Sequence, residues 1–278
     1  WTKILAMSSM TAGTVFLMWL GELIAEKKVG NGTSILIFAG IIAGLPSYLS
    51  QALAVYDRSQ LVTAIAVVAL LLATIVAVVV MNEAQRNIPI QYARQVRGAR
   101  LAGAVTSHLP LKLNLGGVIP IIFAVSVILF PTVVAQFFVN ARTEAVRNAA
   151  VWVSQMFQNQ LVYGVAFAVL VFAFTFFYAS VIFNPQTVAE NLQKQGSFIP
   201  GIRPGEPTAE YLGLVVNRLL LLGAIFLAVV AVLPVAVRVF TGNASLVIGG
   251  TSMLIVVSVI IDSIKQIEAQ MSMHEYEM

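Results

Sequence analysis

The side chains of this sequence that could carry out chemistry are few, and they do not form a recognisable catalytic set. The chain has no cysteine, which excludes disulfides, thiolate nucleophiles and zinc–thiolate sites. Its two histidines, His108 and His274, lie far apart in the sequence and do not suggest a metal site. Its apolar stretches contain no aspartate pair, Ser–His pair or H-E-x-x-H motif, one of which an intramembrane protease would need. We therefore expect no enzyme activity, no metal site and no cofactor.

The chemistry that remains is that of contact between arginines and a negatively charged partner. Arg94, Arg97 and Arg100 recur at a spacing of three in a segment, 83–114, that holds five Lys or Arg residues and one acid. Such a group can pair with nucleic-acid phosphates or with acidic protein surfaces. Positive loops are also needed to orient a membrane protein, whatever its partners. The residues alone leave both interpretations open.

Mild polar groups and branched aliphatic side chains form stripes at helical spacing in two apolar stretches. Stripes of this kind are typical of helix packing, and they are also compatible with a pore lining. The residues concerned are Ile119, Ile122, Ser126 and Leu129 in the first stretch, and Ser252, Ile255, Val259, Asp262 and Gln266 in the second.

The elements that carry these residues are predicted to be transmembrane helices. Of the 278 residues, 59% are hydrophobic and 10% are charged, whereas a soluble domain is about a quarter charged. A helix needs roughly 20 apolar residues to cross a bilayer. The sequence has seven such stretches, at 5–25, 33–53, 61–81, 115–139, 161–183, 214–233 and 246–267.

Two further patterns in the sequence add detail to the scheme of seven stretches. Gly40 and Gly44 form a G-x-x-x-G pattern in the second stretch, which favours close approach of another helix, although glycine is also generally frequent in membrane helices. The segment 140–160 is too polar to span a bilayer. Its apolar residues recur at helical spacing, which predicts a short helix lying in the membrane interface.

The distribution of Lys and Arg predicts the orientation of the chain. Loops after the first, third and fifth stretches hold ten cations, against four in the loops between them. The positive-inside rule then places the first set, and the C-terminus, in the cytoplasm. Trp1 would lie outside without a signal peptide before it, so we expect the sequence to be the C-terminal part of a larger membrane protein.

The predicted organisation follows from these boundaries. Its segments are 1–53 (two helices and a short cytoplasmic loop), 54–81 (an external loop and the third helix), 82–114 (a basic cytoplasmic docking loop), 115–139 (the fourth helix), 140–160 (the external interfacial segment), 161–183 (the fifth helix), 184–213 (a second cytoplasmic docking loop), 214–267 (the last two helices) and 268–278 (a cytoplasmic tail).

Six segments resemble the SecY family of bacterial protein-conducting channels, and they occur in that family's order over nearly the whole chain. They are M-T-A-G-T-V-F-L-M-W-L-G-E from Met10, G-N-G-T-S-I-L-I-F-A-G-I-I-A-G-L-P from Gly30, T-S-H-L-P-L-K-L-N-L-G-G-V-I-P from Thr106, F-N-P-Q-T-V-A-E-N-L from Phe183, G-S-F-I-P-G-I-R-P-G-E from Gly196 and G-G-T-S-M-L-I-V-V from Gly249.

The resemblance implies an all-α integral membrane fold in which the seven helices correspond to the fourth to tenth of a ten-helix channel. It places Ile37, Ile122 and Ile255 on the aliphatic ring that narrows the family's pore. Thr33 takes a further ring position, where an aliphatic residue is usual, so the constriction would be slightly wetter or looser.

The resemblance also assigns a gate and docking sites. The fourth helix corresponds to the lateral-gate helix, with Asn114, Ser126 and Phe130 facing the gate. Arg203, in G-I-R-P-G-E, matches an arginine that the family uses in motor-driven transport, and Arg94, Arg97 and Arg100 lie in a loop that docks partners. The implied partners are the SecE and SecG subunits, the SecA motor ATPase, the ribosome, signal peptides with nascent chains, and the lipid bilayer of the bacterial plasma membrane.

Three functions are candidates for this chain. The first is a channel subunit for unfolded polypeptides, and the second is a small-solute transporter, which would need polar or charged ligands near the bilayer midplane. The centres of all seven stretches lack Asp, Glu, Lys, Arg and His, which argues against the second. The third is a scaffold that binds the ribosome at the membrane without conducting.

Overall fold

The computed structural model describes residues 1–27, 31–54, 61–92, 106–241 and 250–275. Within these ranges the chain is mostly helical, and three short strands interrupt the helices. The helices are α1 (Thr2–Glu26), α2 (Gly32–Ala54), α3 (Leu61–Glu83), α4 (Ile119–Phe138), α5 (Glu144–Gln158), α6 (Gln160–Ile182), α7 (Pro185–Lys194), α8 (Glu206–Thr241) and α9 (Gly250–Glu275). The strands are β1 (Gln85–Tyr92), β2 (Thr106–Lys112) and β3 (Ser197–Phe198).

Five helical segments in the described part of the chain are long and apolar enough to cross a membrane. They are Thr2–Glu26, Leu61–Glu83, Ile119–Phe138, Gln160–Lys194 and Glu206–Val239. Helices α2 and α9 form where the second and seventh spans are predicted. Among the described residues α2 contributes only a shorter apolar helix, Gly32–Ser47, and α9 is not one of the five, so the count of seven spans stays a prediction.

The chain divides into two compact units, Trp1–Val79 with Phe240–Met278, and Val80–Val239. In the first unit α1 packs against α2, and α2 packs against α9. A Cβ atom added at Gly32 would overlap the carbonyl oxygen of Gly21, so the end of α1 and the start of α2 touch through backbone. No described atom lies within 4 Å of a Cβ built at Gly40. Among the described residues, the close backbone approach that the structure shows lies at Gly21 and Gly32.

Beside its helices, the second unit contains a small antiparallel sheet. The strand order is β2-β1-β3, and β1 pairs with β2 from Gln85 opposite Lys112 to Gln91 opposite Thr106. The side chains of β1 alternate, with Ile88 and Ile90 buried, Asn87 and Pro89 exposed and Gln91 partly buried, as expected of a half-buried strand. The two predicted docking loops, 82–114 and 184–213, therefore both contribute strands to one sheet.

Proline made this sheet hard to recognise, because Pro89 and Pro110 each lack the N–H group that a strand interior normally uses. Both are nevertheless accommodated. β3 pairs only with Gln91 and Tyr92, so β1 has a strand neighbour on one side alone at Pro89. Pro110 lies on β2, which is an edge strand.

The apolar face of the sheet packs against α7 and the first half of α8. Residues of α8 at helical spacing, among them Leu212, Val215, Val216 and Leu219, are buried together with Ile88 of β1. This contact explains why α8 begins at Glu206 and not at Leu214, since the extra turns provide the surface that covers the sheet. The helix also continues to Thr241, beyond the predicted end.

The break between α6 and α7 follows from the sequence Phe183-Asn184-Pro185. Pro185 occupies the first turn of α7, where a missing N–H costs nothing. The Asn184 side chain accepts hydrogen bonds from the backbone N–H groups of Gln186 and Thr187, which caps the new helix. The following turn has positive φ at both Gly201 and Gly205, a backbone conformation that glycine adopts without strain.

We predict that Leu212→Ala lowers the stability of the second unit strongly. Leu212 lies on the face of α8 that covers the sheet and has 0% of its surface exposed. Truncating a buried leucine costs about 2–5 kcal/mol. The measurement is the thermal unfolding midpoint in detergent. The control is Leu221→Ala on the same helix, where the side chain is 48% exposed. Equal losses in the two variants would contradict the packing described above.

Candidate functional site

The α4 helix has one packed face and one uncovered face. Ile121, Ala124 and Ile128 are buried where α4 contacts α5 and α6. The other face presents the predicted ring and gate residues. Ile122 is 36% exposed and Phe130 is 68% exposed, with Ser126 exposed between them at a spacing of four residues. Of the stripe that the sequence indicated, Ile122, Ser126 and Leu129 are exposed and Ile119 is partly buried; the predicted gate residue Phe130 is exposed as well.

The hydroxyl group of Ser126 is satisfied by its own helix. Its Oγ donates a hydrogen bond to the backbone carbonyl oxygen of Ile122 at 2.9 Å. A serine bonded in this way adds little polarity to the surface on which it lies. The uncovered face is thus apolar in effect, with two aliphatic or aromatic side chains around a satisfied hydroxyl.

Asn114 lies away from that face, in the segment that joins β2 to α4. Its Nδ2 donates a hydrogen bond to Oδ1 of Asn82, near the end of α3, at 2.9 Å. Its own Oδ1 is buried and has no hydrogen-bond partner among the described residues. The structure therefore gives Asn114 a tethering contact to α3, and it does not place this side chain on the exposed stripe of α4.

The segment from Leu113 to Val118 is held tightly between the sheet and two helices. The N–H of Leu113 donates to the carbonyl oxygen of Ala84 at 2.9 Å. A Cβ built at Gly223 of α8 would lie 2.8 Å from the carbonyl oxygen of Leu113, and one built at Gly116 would lie 3.2 Å from Cδ1 of Tyr178. Gly117 has a φ of +57°. These contacts delay the start of α4 to Ile119, later than the predicted 115.

The remaining predicted ring residues belong to the first unit. Ile37 is partly buried on α2, Thr33 is exposed at the start of the same helix, and Ile255 is partly buried on α9. Because α2 packs against α9, these three residues lie on two contacting helices. Ile122 lies in the second unit, on α4.

The turn before α8 holds Arg203 with its side chain exposed. The buried Thr208 donates a hydrogen bond from Oγ1 to the carbonyl oxygen of Arg203 at 2.8 Å, which fixes the backbone. In the part of the chain that the structure describes, the guanidinium group of Arg203 has no ion-pair partner. A fixed backbone with a free cation suits the capture of an anionic partner.

Arg94, Arg97 and Arg100 lie outside the described residues, in the stretch between β1 and β2. β1 ends at Tyr92, which pairs with Ser197 of β3, and β3 leads into the turn that carries Arg203. Sequence reasoning missed that both predicted docking loops contribute strands to the same sheet. The alternation in I-P-I-Q-Y and L-P-L-K is the signal that could have revealed it.

The model of the SecY family matches residues 1–264 of this chain. The chain belongs to the SecY family. The resemblance carried by the six sequence segments is confirmed, and the chain is a mostly helical, multi-pass membrane protein of the SecY type. SecY membership does not favour the alternative of a small-solute transporter.

Three bacterial relatives are named protein translocase subunit SecY. The protein of Thermotoga maritima is 46% identical over 274 residues, covering 99% of this chain and 61% of the relative. That of Halalkalibacterium halodurans is 46% identical over 277 residues, covering 96% and 63%. That of Vibrio cholerae is 42% identical over 277 residues, covering 99% and 62%. The chain thus spans less than two thirds of the length of these SecY relatives.

Two solved structures share the fold. One, described as the structure of a protein conducting channel, has a TM-score of 0.58 and covers 91% of this chain and 62% of that chain. The other comes from work on how the plug domain of the SecY protein stabilises the closed translocation channel, and it has a TM-score of 0.57 with coverage of 91% and 63%. Both are 18% identical, so they support the fold of this SecY-family chain alone.

We predict that Gly223→Ala destabilises the protein, because the new methyl group would push against the backbone of Leu113. Overpacking of this kind costs about 1–3 kcal/mol. The control is Gly213→Ala in the same helix, where a Cβ would meet only Pro185 at an ordinary 3.8 Å. There the alanine should be neutral or stabilising, because alanine favours helix by up to about 1 kcal/mol over glycine. Thermal unfolding midpoints in detergent compare the two, and a milder effect at Gly223 would contradict the tight contact.

Proposed function

We propose that this chain forms part of a passive channel through which unfolded secretory polypeptides cross the bacterial plasma membrane, and from which apolar segments leave sideways into lipid. The observation that carries the proposal is the uncovered face of α4. This face presents Ile122 and Phe130 around a satisfied Ser126, while the opposite face is packed. This exposed helix face carries no charge and offers an apolar surface for contact with a polypeptide.

The aliphatic ring residues suit a pore that must accept any peptide side chain and still exclude ions. Isoleucine offers no hydrogen bond, so a narrow ring formed by Ile37, Ile122 and Ile255 would be poorly wetted when no peptide is present. Its contacts are non-directional and would grip no particular sequence. Thr33 would add one hydroxyl group to this ring and make it slightly easier to wet.

The gate proposal concerns Ser126, Phe130 and Asn114. Ser126 and Phe130 lie on the uncovered face of α4, where a helix–helix contact could form and separate. A signal sequence passing this face would partition into lipid with roughly 25 cal/mol per Å² of apolar surface buried. The bond between Asn114 and Asn82 supports a different part for Asn114, which is to hold the base of α4 to α3.

Docking is proposed at the sheet that joins the two basic loops. Arg203 projects from a turn whose backbone is fixed, and Arg94, Arg97 and Arg100 lie in the loop that leaves the same sheet. A ribosome or the SecA motor would bind these cations and supply the energy, and SecE and SecG would complete the complex. In this arrangement the sheet and the C-terminus lie in the cytoplasm, as the distribution of Lys and Arg predicts.

A photocrosslinking residue placed on the pore ring tests the channel. At Ile122 or Ile255 of the membrane-inserted protein we expect it to label a translocating secretory chain arrested in transit. The control position is Phe177 of α6, which is 62% exposed and is expected to face lipid. Labelling of the secretory chain at Phe177, with none at Ile122 and Ile255, would contradict the proposal.

Charge reversal at Arg203 tests docking. Arg203→Glu should lower motor-driven secretion about tenfold or more, as loss of a charged interface anchor does, without preventing insertion of the protein into the membrane. The control is Lys194→Glu in the same loop, where the cation is exposed and pairs only with Glu190 at 3.5 Å. Secretion rates in membrane vesicles compare them. Normal secretion by the Arg203→Glu variant would remove Arg203 from the docking site.

A further inference from the structure

A groove with a volume of about 380 Å³ lies on the second unit, between the start of β1 and one face of α8. Arg86 of β1 lines it from one side. From α8 it is lined by residues at helical spacing, which include Tyr211, Leu214, Arg218 and Leu222. None of the residues named for the ring, the gate or docking lines this groove, although Arg86 belongs to the predicted docking loop 82–114.

The apolar part of the groove is a surface that would be unfavourable in water. Leu214 is 61% exposed and Leu222 is 57% exposed, and both lie on the side of α8 that carries Arg218. This part of α8 belongs to a segment, Glu206–Val239, that is long and apolar enough to cross a membrane. An exposed leucine stripe on such a helix is a surface for hydrocarbon.

Two uncompensated cations lie beside this stripe. Arg86 and Arg218 are both exposed, and neither guanidinium forms an ion pair with any residue that the structure describes. None of the described residues that line the groove carries a carboxylate. The acidic residues of the same helix end, Glu206 and Glu210, line a different cavity, on the side of α8 that faces α7.

The combination selects the class of ligand. Arginine binds phosphate oxygens in a bidentate manner, and two arginines together favour a ligand with a net negative charge. Nucleic acid has phosphates but no hydrocarbon to cover Leu222. An acidic soluble protein would find half of the groove apolar. An anionic phospholipid carries both parts in the arrangement that the groove presents, and basic pockets beside membrane helices bind such head groups.

We propose that this groove is a binding site for an anionic phospholipid. The phosphate lies between the guanidinium groups of Arg86 and Arg218, and an acyl chain lies along α8 at Leu222. Tyr211 borders the head group, as an aromatic side chain with a polar tip does at a membrane interface. The site would join the base of the sheet to the membrane surface, and it requires only that the chain is a membrane protein, not that it conducts polypeptides.

The test compares lipid binding by the purified protein and two double variants, using phosphatidylglycerol and phosphatidylcholine as probes in native mass spectrometry. We expect one phosphatidylglycerol molecule to be retained. The Arg86→Gln/Arg218→Gln variant should bind it about 30-fold more weakly, since each cation near a membrane surface contributes a factor of several. The control, Arg142→Gln/Arg238→Gln, removes two exposed cations that do not line the groove.

Three outcomes would overturn the proposal. One is equal binding of phosphatidylglycerol and phosphatidylcholine by the unmodified protein. A second is an equal loss of binding in the two double variants, which would indicate a general effect of net charge. The third is a photocrosslinker at Leu222 that labels a polypeptide in native membranes and no lipid, which would show that a partner helix covers the groove. Unchanged thermal unfolding midpoints confirm that the variants fold.

Discussion

The structure of the second unit depends on the burial of a small sheet against the first half of α8. Ile88, Ile90 and Leu111 leave water on one side of this contact, and Leu212 and Leu220 do so on the other. Hydrophobic burial is the main favourable term available to a structure of this size, at about 25 cal/mol per Å². Because the strands come from both basic loops, this one contact makes two stretches that are distant in sequence into a single body.

That contact sets the positions of two parts of the proposed sites, the turn that carries Arg203 and the junction to α4. The turn that carries Arg203 lies between β3 and α8, so its position is set by the sheet and the helix together. Leu113, the first residue of the junction to α4, donates a backbone hydrogen bond to Ala84 beside β1 and lies against Gly223 of α8. A partner bound at the sheet would therefore act on a surface that is connected to the base of α4 by tightly packed backbone, and not by a flexible linker.

The prediction of helices from the sequence succeeded where the bilayer imposes a local rule. The span predicted at 161–183 is α6, Gln160–Ile182, and the interfacial segment predicted at 140–160 contains α5, Glu144–Gln158. The span predicted from 115 begins at Ile119, because the preceding Gly116 and Gly117 are used in the junction. The sheet was missed because Pro89 and Pro110 suggested a loop, and because two alternating buried residues are a weak signal beside a long apolar helix.

The residues of the predicted site also differ in how far the sequence alone could place them. Ile122, Ser126 and Phe130 share a face of α4 because helical periodicity places them there, and sequence is sufficient for that. Asn114 was assigned to the same face, but its side chain bonds to Asn82, a residue that no local pattern connects to it. Arg203 was identified by its motif, while the hydrogen bond from Thr208 that fixes its backbone became visible only in the fold.

The sequence by itself determined the class of the protein, its long apolar helices and the absence of charge from their centres. These properties depend on the length and composition of continuous segments, which lipid tests one segment at a time. The tertiary structure decided how the two basic loops combine, where α4 begins and why Gly223 must lack a side chain. Each of these depends on contacts between residues far apart in the chain, and only the packed fold brings such residues together.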